Sequence, residues 1–374
     1  MNILILGGGL QGLCCGAAFY NQGYKVDVVS NDLQILNSKF FDTVYDQTCS
    51  YNEEIYDILS KNHYDVLIPM GDVNASFLSK NKKHIEETYT CKCACADYEI
   101  LSIVEDKHLF MAFCKMHDIP HPLTIPLVSE NIRECAQAIG FPLLIKPDFS
   151  VGARGITKVS DYNELCDKYP SVVEQYGNCT LQEFIENKEY YYNVMLYRNA
   201  EGKFLAHTII KIVRMYPTNA GSSTCCISVE DDMLLQICKN CLDKLNWVGM
   251  ADFDVLQRLD NKEYKIIEIN ARVPASLKGS LISGVNFPGI IAKDTMGEPV
   301  PEYVYRTGKV MRYLGTDIMW FLKSENRFKA KPSWFSFFGK DIFYQDIYKE
   351  DFSTWWSWLA EGFKKLGKRN KRLR

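Results

Sequence analysis

The sequence contains no long apolar run, little net charge and few histidines, and each scarcity excludes a class of function. No apolar run reaches the ~18 residues that a membrane-spanning helix needs. A formal net charge of -3 over 374 residues gives no general attraction to nucleic acid, so no nucleic-acid partner is expected. The six histidines are scattered and indicate no metal or acid–base cluster. Repeats and low-complexity segments are also absent, and the length favours two or three globular domains.

The fourteen cysteines do not form a disulfide pattern. Met1 leads straight into an apolar strand and not into a signal peptide, so we predict reduced thiols and a cytoplasmic location. Cys91, Cys93 and Cys95 are spaced by two residues, which places them on one face of a strand. Metal sites usually use C-x2-C pairs, so a buried strand is favoured over a ligand set.

A glycine cluster, "GGGLQG" at 7–12, follows the first apolar run and has the spacing of a dinucleotide-binding turn. In that motif the second strand ends in an acidic residue that holds the ribose. Here that strand ends at Ser30, with Asp27 inside the strand and Asp32 beyond it. NAD binding is therefore disfavoured, although an oxidoreductase remains an alternative.

Strand-like and helix-like segments alternate through the first hundred residues, which predicts a parallel sheet with helices on its faces. After about residue 100 the pattern changes to strands, glycine turns and charged residues at strand ends. The last seventy residues are rich in aromatic side chains and finish in a basic tail, so we expect a separate piece there.

A phosphate-binding pattern occurs in "FPLLIKPDFSVGARGI", residues 141–156. Lys146 ends an apolar strand, and the loop after it holds Gly152 and Gly155 with Arg154 between them. Glycines allow backbone N–H groups to face an anion, and the lysine adds positive charge. The alternative is a hairpin turn beside surface lysines, of which Lys107 is the second.

A second polar pattern lies in "GMADFDVLQRLDNKEYKIIEINARVPAS", where two strands flank a hairpin turn. Glu268, Asn270 and Arg272 share one face of the second strand because side chains alternate along a strand. Asp254 reaches them from the first strand, and Asp252 competes with it. Two carboxylates and an amide oxygen suit Mg²⁺ or Mn²⁺ with substrate phosphates, whereas a solvated face is the simpler alternative.

These pieces occur in the order and spacing of the ATP-grasp superfamily, which the chain resembles over about residues 1–300. The resemblance is closest to the branch that contains the carbamoyl phosphate synthetase large subunit, biotin carboxylase and carboxylate-amine ligases. It implies an α/β fold with a Rossmann-like pre-ATP-grasp domain, a two-lobed α+β ATP-grasp domain and an aromatic, basic C-terminal extension. The corresponding boundaries are 1–100, 101–182 for the central and lid region, 183–302 for the lobe with the metal site, and 303–374.

The resemblance also implies a reaction. ATP, with Mg²⁺ or Mn²⁺, would phosphorylate a carboxylate, and an amine would attack the acyl phosphate to form a C–N bond with release of ADP and phosphate. The glycine turn would then face the acceptor substrate. A nucleotide-binding module without turnover remains the alternative, and the two substrates are not identified by any motif.

Individual roles follow from the same resemblance. The hinge "QEFI" would bind adenine through its backbone, and Gln182 departs from the glutamate that relatives often have. The expected ATP-binding residues are Lys107, Lys146, Ser150, Gly152, Ala153, Arg154, Gly155, Gln182, Glu183, Phe184, Ile185 and Glu189. The expected metal ligands are Asp254, Glu268 and Asn270, and the expected catalytic residues are Lys146, Arg214 and Arg272. The expected substrate-binding residues are Gly9, Arg214, Gly221, Ser222 and Lys278.

The end of the chain, residues 351–374, has apolar residues at helical spacing beside a dense group of lysines and arginines. We predict an amphipathic basic helix. Its apolar face either docks on the ligase domain or makes peripheral contact with the inner face of a membrane, and the sequence leaves both interpretations open. A homodimer is also left open.

Overall fold

The computed structural model describes residues 1–47, 51–127, 131–149, 154–186, 190–218 and 222–354. Within these ranges, every helix is too short or too polar to cross a bilayer. The strands fall into a five-stranded, a four-stranded and a seven-stranded sheet. The mixed α/β fold agrees with the prediction.

The first sheet is parallel, as the alternating pattern predicted, with the order β3-β2-β1-β4-β5. Its central strands read as continuous apolar runs because both faces are covered by helices. Its strands are β1 (Asn2–Leu6), β2 (Lys25–Val29), β3 (Thr43–Tyr45), β4 (Val66–Pro69) and β5 (Lys92–Cys93). The helices of this region are α1 (Gly9–Tyr20), α2 (Leu33–Leu36), α3 (Tyr51–Lys61), α4 (Asp72–Tyr89), α5 (Tyr98–Glu105) and α6 (Lys107–Met116).

The second sheet is antiparallel, with the order β6-β9-β7-β8, and carries the predicted phosphate-binding lysine. One face buries Leu143, Ile145 and Leu181 against two helices. The strands are β6 (Thr124–Pro126), β7 (Leu143–Pro147), β8 (Thr157–Val159) and β9 (Cys179–Glu183), and the helices are α7 (Ile132–Ile139) and α8 (Tyr162–Tyr176). The predicted boundary between 182 and 183 falls inside β9, and the other domain boundaries stay predictions.

The third sheet has the order β14-β13-β10-β11-β12-β15-β16 and is antiparallel except for the pairing of its last two strands. Its strands are β10 (Tyr191–Arg198), β11 (Phe204–Tyr216), β12 (Ser222–Val229), β13 (Gly249–Gln257), β14 (Tyr264–Asn270), β15 (Val310–Arg312) and β16 (Ile342–Tyr344). Its helices are α9 (Asp232–Leu245), α10 (Leu277–Ile282), α11 (Phe287–Thr295) and α12 (Leu314–Lys323). The predicted hairpin between β13 and β14 is confirmed.

One hydrophobic core joins the first sheet to the third. Phe19 of α1 and Ile5 of β1 belong to the same buried cluster as Ile210 of β11, Phe287 and Ile290. Because apolar burial is worth about 25 cal/mol per Å², this shared core holds the amino-terminal sheet against the large sheet.

The expectation that the last seventy residues form a separate piece is wrong for residues 310–344, because β15 and β16 extend the third sheet. Asp317 of α12 is fully buried, and its carboxylate accepts hydrogen bonds from two arginine side chains. The Arg214 guanidinium of β11 donates at 2.7 Å, and the Arg312 guanidinium of β15 donates at 2.9 Å. Thr224 of β12 donates a further hydrogen bond at 3.3 Å. These contacts fasten α12 to the sheet.

Asp317→Asn is expected to lower the free energy of unfolding by about 3 kcal/mol, because two buried guanidinium groups lose their shared counter-ion. Urea unfolding of the whole chain measures the change. Asp57→Asn, which removes a solvent-exposed partner of Lys61, is the matched control and should have little effect. A loss for Asp317→Asn no larger than that of the control would contradict the assignment.

All thirteen cysteines in the described ranges are free, and all but Cys166 are buried. Cys91, Cys93 and Cys95 lie around β5 with their thiols in the core, so the buried interpretation of this cluster is confirmed. Burial raises the pKa of Cys91 to about 11 and that of Cys95 to about 12. These thiols stay protonated and unreactive near neutral pH.

The predicted amphipathic helix is described only at its start, and residues 355–374 lie outside the described residues. Asp351 accepts hydrogen bonds from Ser38 at 2.8 Å and from the Lys39 backbone at 2.9 Å. Ser353 donates to the Asn37 carbonyl at 2.6 Å. The entry to this segment is therefore attached to the end of α2.

Candidate functional site

A cavity of about 1020 Å³ lies between the amino-terminal helices and the third sheet. One wall comes from α4, α5 and the start of α6, and the other comes from the ends of β13 and β14 and the segment after them. The polar residues of its walls include Asp72, Glu105, Lys107, Asp254, Glu268 and Arg272. The predicted metal ligands thus share one cavity with Lys107 and Arg272, whereas Lys146 is not among its lining residues.

The predicted metal ligands are cross-strand neighbours. Asp254 of β13 is paired with Glu268 of β14, and Asp252 is paired with Asn270. Directly opposed side chains of an antiparallel pair lie close together. Period-two spacing on one strand and the hairpin register on the other therefore bring two carboxylates and an amide together.

Asn193 of β10 was missed by the sequence analysis. It is paired with Asp254, and its side-chain amide donates to that carboxylate. Its own carbonyl oxygen accepts from Ser276 at 3.1 Å. The available signal was a single amide inside the apolar run "YYNVMLY", since a buried polar side chain on a central strand needs a partner.

The carboxylates carry more negative charge than the local protein groups neutralise. Burial, followed by the charges of Glu268 and Asp252, raises the pKa of Asp254 above its usual range. One oxygen of buried Asp252 has no hydrogen-bond partner. A divalent cation would relieve this repulsion, so the donor set fits Mg²⁺ or Mn²⁺.

This set is small for a metal site made of protein ligands alone. In the part of the chain that the structure describes, no group of three or more His, Cys, Asp or Glu side chains could hold a metal ion. The predicted ligands are two carboxylates and one amide. They fit a Mg²⁺ ion whose remaining ligands are water and substrate phosphates.

Lys146, at the end of β7, faces this carboxylate group from the second sheet. Its side chain is 2% exposed, and its ammonium donates to the Gln182 side-chain oxygen at 3.1 Å. Burial lowers the pKa of Lys146 to about 8, with Lys107 adding to the shift and Glu268 opposing it. Lys146, Lys107 and Glu268 are therefore close enough to interact.

Gln182 explains how this lysine is held. Its amide nitrogen donates to the Thr124 hydroxyl at 2.9 Å, which directs its oxygen toward Lys146. Because residue 182 is glutamine and not glutamate, the buried Lys146 ammonium has a neutral hydrogen-bond partner. Its positive charge remains available for an anion.

Arg272 follows β14 and bridges the third sheet to the amino-terminal region. It donates to Asp72 at 2.8 Å and to the Asn270 side-chain oxygen at 3.2 Å. Asp72 is the first residue of α4, where the helix dipole favours a carboxylate. Asp72 was not predicted, because its partner is 200 positions away.

The Arg272 and Asp72 pair is expected to couple by about 1 kcal/mol in a double-mutant cycle of Asp72→Asn and Arg272→Gln. The two side chains are 18% and 30% exposed, so solvent screens the pair only in part. Urea unfolding of the four proteins gives the coupling energy. The exposed Lys61 and Asp57 pair is the control cycle, and an equally small coupling in both would contradict the assignment.

The predicted adenine hinge lies at the end of β9. The Glu183 backbone N–H donates to the Leu123 carbonyl at 2.8 Å, and its side chain is paired with Arg258. The Lys158 ammonium lies 3.6 Å from the centre of the Phe184 ring, and Ile185 is buried. The hinge therefore contacts the segment before β6, strand β8 and the turn after β13.

Several predicted ligand-binding residues lie outside the described residues, namely Ser150, Gly152, Ala153, Glu189 and Gly221. Of the same loops, Arg154 is exposed and Ser222 lines the cavity. Gly155 has a φ of +76°, and a Cβ there would meet Pro147 at 2.7 Å and Tyr176 at 2.8 Å. Glycine is thus required at position 155, where the loop leads back into the second sheet.

Two predicted substrate-binding cations do not line the cavity. Arg214 is 1% exposed and engaged with Asp317, as described above. Lys278 of α10 donates to the Ile347 carbonyl at 2.7 Å and lies 3.6 Å from the centre of the Tyr348 ring. Both side chains fasten the C-terminal segment to the sheet, and neither is carried into the proposal below.

The glycine turn at 7–12 already holds an anion of its own. The Gly9 backbone N–H, at the start of α1, donates to the Asp32 carboxylate. A Cβ at Gly8 would overlap the same carboxylate, at 2.2 Å. A second anion such as a dinucleotide pyrophosphate would be repelled from this helix end.

Comparison with known proteins agrees with this geometry. The family model described as ATP-grasp domain matches residues 104–276. D-aspartate ligase from Enterococcus faecium (strain Aus0004) is 24% identical over 277 residues, which cover 69% of this chain and 64% of that protein. The carbamoyl phosphate synthase large chain of Pseudothermotoga lettingae is 24% identical over 305 residues, which cover 77% of this chain and 26% of that protein. The chain thus spans less than two thirds of both relatives.

A solved structure shares the fold. The biotin carboxylase domain dimer of the Hydrogenobacter thermophilus 2-oxoglutarate carboxylase, in complex with MgADP, ADP and bicarbonate, matches with a TM-score of 0.68 at 16% identity. The match covers 82% of this chain and 73% of that chain. The family match, together with the proximity of Lys146 on the second sheet to Glu268 and Asp254 on the third, shows that residues 104–276 form an ATP-grasp domain.

Proposed function

We propose that the protein is a ligase that uses ATP and Mg²⁺ to activate a small-molecule carboxylate as an acyl phosphate and to join it to an amine. The observation that carries the proposal is the meeting of Lys146 and Lys107 with Asp254, Glu268 and Asn270 between two sheets. Cations for phosphates and hard oxygen ligands for a divalent metal are the parts that phosphoryl transfer requires.

The protein groups act by position and charge. Asp254, Glu268 and Asn270 would hold Mg²⁺, which supplies neutralisation of phosphate charge. Lys146 would bind the phosphates from the end of β7 in the second sheet, and Lys107 would bind them from the start of α6. Phosphoryl transfer needs little covalent chemistry from the protein, so the proposed reaction requires no nucleophilic side chain.

ATP and the acceptor substrate would occupy different parts of the site. At the hinge, the Glu183 N–H is used by Leu123, so an adenine contact at this residue would use its carbonyl oxygen. Arg272 lies on the side of the amino-terminal helices, and its guanidinium would steady the carboxylate as it becomes an acyl phosphate. The acceptor would enter between Arg272 and α4, where Ser76 and Glu105 also line the cavity.

The names of the relatives limit the substrate classes without fixing them. D-aspartate ligase joins an amino acid, and the biotin carboxylase domain was solved with bicarbonate. A screen of phosphate release from ATP over pools of amino acids and carboxylates tests the proposal. We expect release that depends on both a carboxylate and an amine, with one amide product by mass spectrometry.

Two other functions are distinguished from the ligase, one by the same screen and one by titration with NAD(H). ATP binding without phosphate release in any pool would support a nucleotide-binding module. An NAD-dependent oxidoreductase is disfavoured by the Asp32 carboxylate at the glycine turn, and NAD(H) titration with no change in fluorescence is the expected result.

We further propose two assembly features that were predicted from the sequence. Peripheral membrane contact through residues 351–374 is supported by their apolar and basic composition. A homodimer is supported by the dimer named for the Hydrogenobacter structure. Analytical ultracentrifugation tests the second.

A further inference from the structure

Exposed aromatic side chains cluster in the segment from α12 to residue 338. Phe338 is 93% exposed, Phe328 is 73% exposed and Phe335 is 58% exposed. Ile318 and Leu322 are also exposed and lie one helical turn apart on α12. Single exposed apolar residues are ordinary, whereas five within 318–338 indicate an interaction surface.

The aromatic side chains are ordered by contacts with one another. The Phe321 ring stacks on the Trp334 ring at 4.1 Å, and Phe328 stacks on Phe335 at 6.4 Å. The Trp334 indole N–H donates to the Asp317 carbonyl at 3.1 Å. The surface is therefore fixed to the buried ion pairs of α12, and its aromatic side chains contact one another while remaining largely exposed.

The same segment is strongly basic. Residues 318–340 contain five basic residues and Glu325 as the only acidic one, in a chain whose net charge is -3. The basic residues are Lys323, Arg327, Lys329, Lys331 and Lys340. The occupant of this surface must therefore be negatively charged as well as apolar.

We infer that this aromatic-basic surface, made of Ile318, Leu322, Phe328, Phe335 and Phe338 with the five basic residues, docks on an anionic lipid surface. Phenylalanine rings enter the boundary between headgroups and acyl chains, and lysine and arginine side chains pair with the lipid phosphates. The inference concerns residues other than 351–374 and does not depend on the ligase activity.

Two other occupants fit less well because their charge is wrong. A second copy related by two-fold symmetry would place five basic residues against five basic residues. The end of the chain carries seven lysines and arginines within residues 364–374, so it would be repelled in the same way. A bilayer of anionic lipid supplies both the negative charge and the apolar interior.

The test is sedimentation of the full chain with vesicles of phosphatidylcholine alone or mixed with phosphatidylglycerol. We expect binding to the mixed vesicles only, and weaker binding at high salt. Phe328→Ser, Phe335→Ser and Phe338→Ser together should lower the partition coefficient about tenfold or more. The matched control replaces three exposed apolar residues elsewhere, Met116, Met233 and Val304, by serine and should bind as the wild type does.

A second pair of variants tests the charge. Lys329, Lys331 and Lys340 changed to glutamine should weaken binding and its salt dependence, whereas Lys83, Lys115 and Lys244 changed to glutamine should not. Thermal unfolding should be unchanged in all of these surface variants, which separates docking from folding.

Three outcomes would overturn the inference. Equal binding by the serine variant and its control would show that the surface does not touch lipid. Loss of binding only when the basic residues of 364–374 are neutralised would assign the contact to the end of the chain. A dimer that the serine variant converts to monomer, with no vesicle binding, would assign the surface to a second copy.

Discussion

Lys146→Met is expected to lower ATP-dependent phosphate release by about 10²–10³-fold and, at the same time, to stabilise the ligand-free protein. The buried ammonium costs free energy in the folded state, which is why burial lowers the pKa of Lys146 to about 8. Methionine fills similar space without charge, so the free energy of unfolding at pH 7 should rise by about 1–3 kcal/mol. Phosphate release and urea unfolding measure the two effects.

The lowered pKa of Lys146 also predicts how the free energy of unfolding changes with pH. Between the folded pKa of about 8 and the ordinary value of 10.5, the unfolded chain binds more protons at Lys146 than the folded protein does. Stability of the wild type should therefore rise with pH across this window, and the rise should be smaller in the methionine variant. Lys265→Met, on β14 and partly exposed, is the control and should keep both turnover and the slope. Full turnover in Lys146→Met would contradict the assignment.

Asp254→Asn is expected to abolish the stabilisation that Mg-ATP gives the wild type, because it removes one of two carboxylates that would hold the metal. Turnover should fall by about 10²–10³-fold with it. Without ligand the variant should be more stable by about 1 kcal/mol, since the carboxylate is destabilised by desolvation and by Glu268 and Asp252. Thermal unfolding with and without Mg-ATP measures the shift.

Asp260→Asn provides the control for this experiment. Asp260 lies in the exposed turn between the same two strands and is paired with Arg258. Its variant should keep the Mg-ATP shift and the turnover of the wild type. An Asp254→Asn protein that is still stabilised by Mg-ATP would move the metal site elsewhere, with Asp252 the first candidate. Glu268→Gln should behave as Asp254→Asn does.

The parts of the site that follow from local periodicity could be predicted from the sequence. Side chains two apart on one strand share a face, and a short turn sets the register of a hairpin, so Glu268, Asn270 and Asp254 were brought together as predicted. The parallel order of the first sheet followed from alternation in the same way. These features depend on contacts that are close in sequence.

The partners that lie far apart in sequence could not be predicted. Arg214 has the sequence context of a substrate-binding residue, yet its counter-ion, Asp317, lies 103 positions away. The Lys278 ammonium likewise donates hydrogen bonds to the backbone carbonyls of Gln345 and Ile347, which lie 67 and 69 positions away. The sequence alone does not show whether a charged side chain pairs with a ligand or with another residue of the folded chain. The Arg272 and Asp72 pair was missed for the same reason.

The glycine turn shows how one side chain can redirect a motif. Asp32 was judged a poor ribose ligand because it lies beyond the end of β2. In the structure that position lets its carboxylate reach the Gly9 N–H at the start of α1. The residue that fits a dinucleotide poorly is therefore the one that fills the anion site of the turn.

The uneven burial of the cysteines makes the chain suitable for site-specific labelling. Cys166 on α8 is the one exposed thiol among the described cysteines, and the others are shielded in the cores of the sheets. Among the described cysteines, a maleimide fluorophore should therefore attach first to Cys166. Helix α8, which carries this residue, packs on the second sheet, to which Lys146 belongs. Because none of the described cysteines in the cores has to be removed, a fluorophore at Cys166 can report how that sheet moves when nucleotide is added.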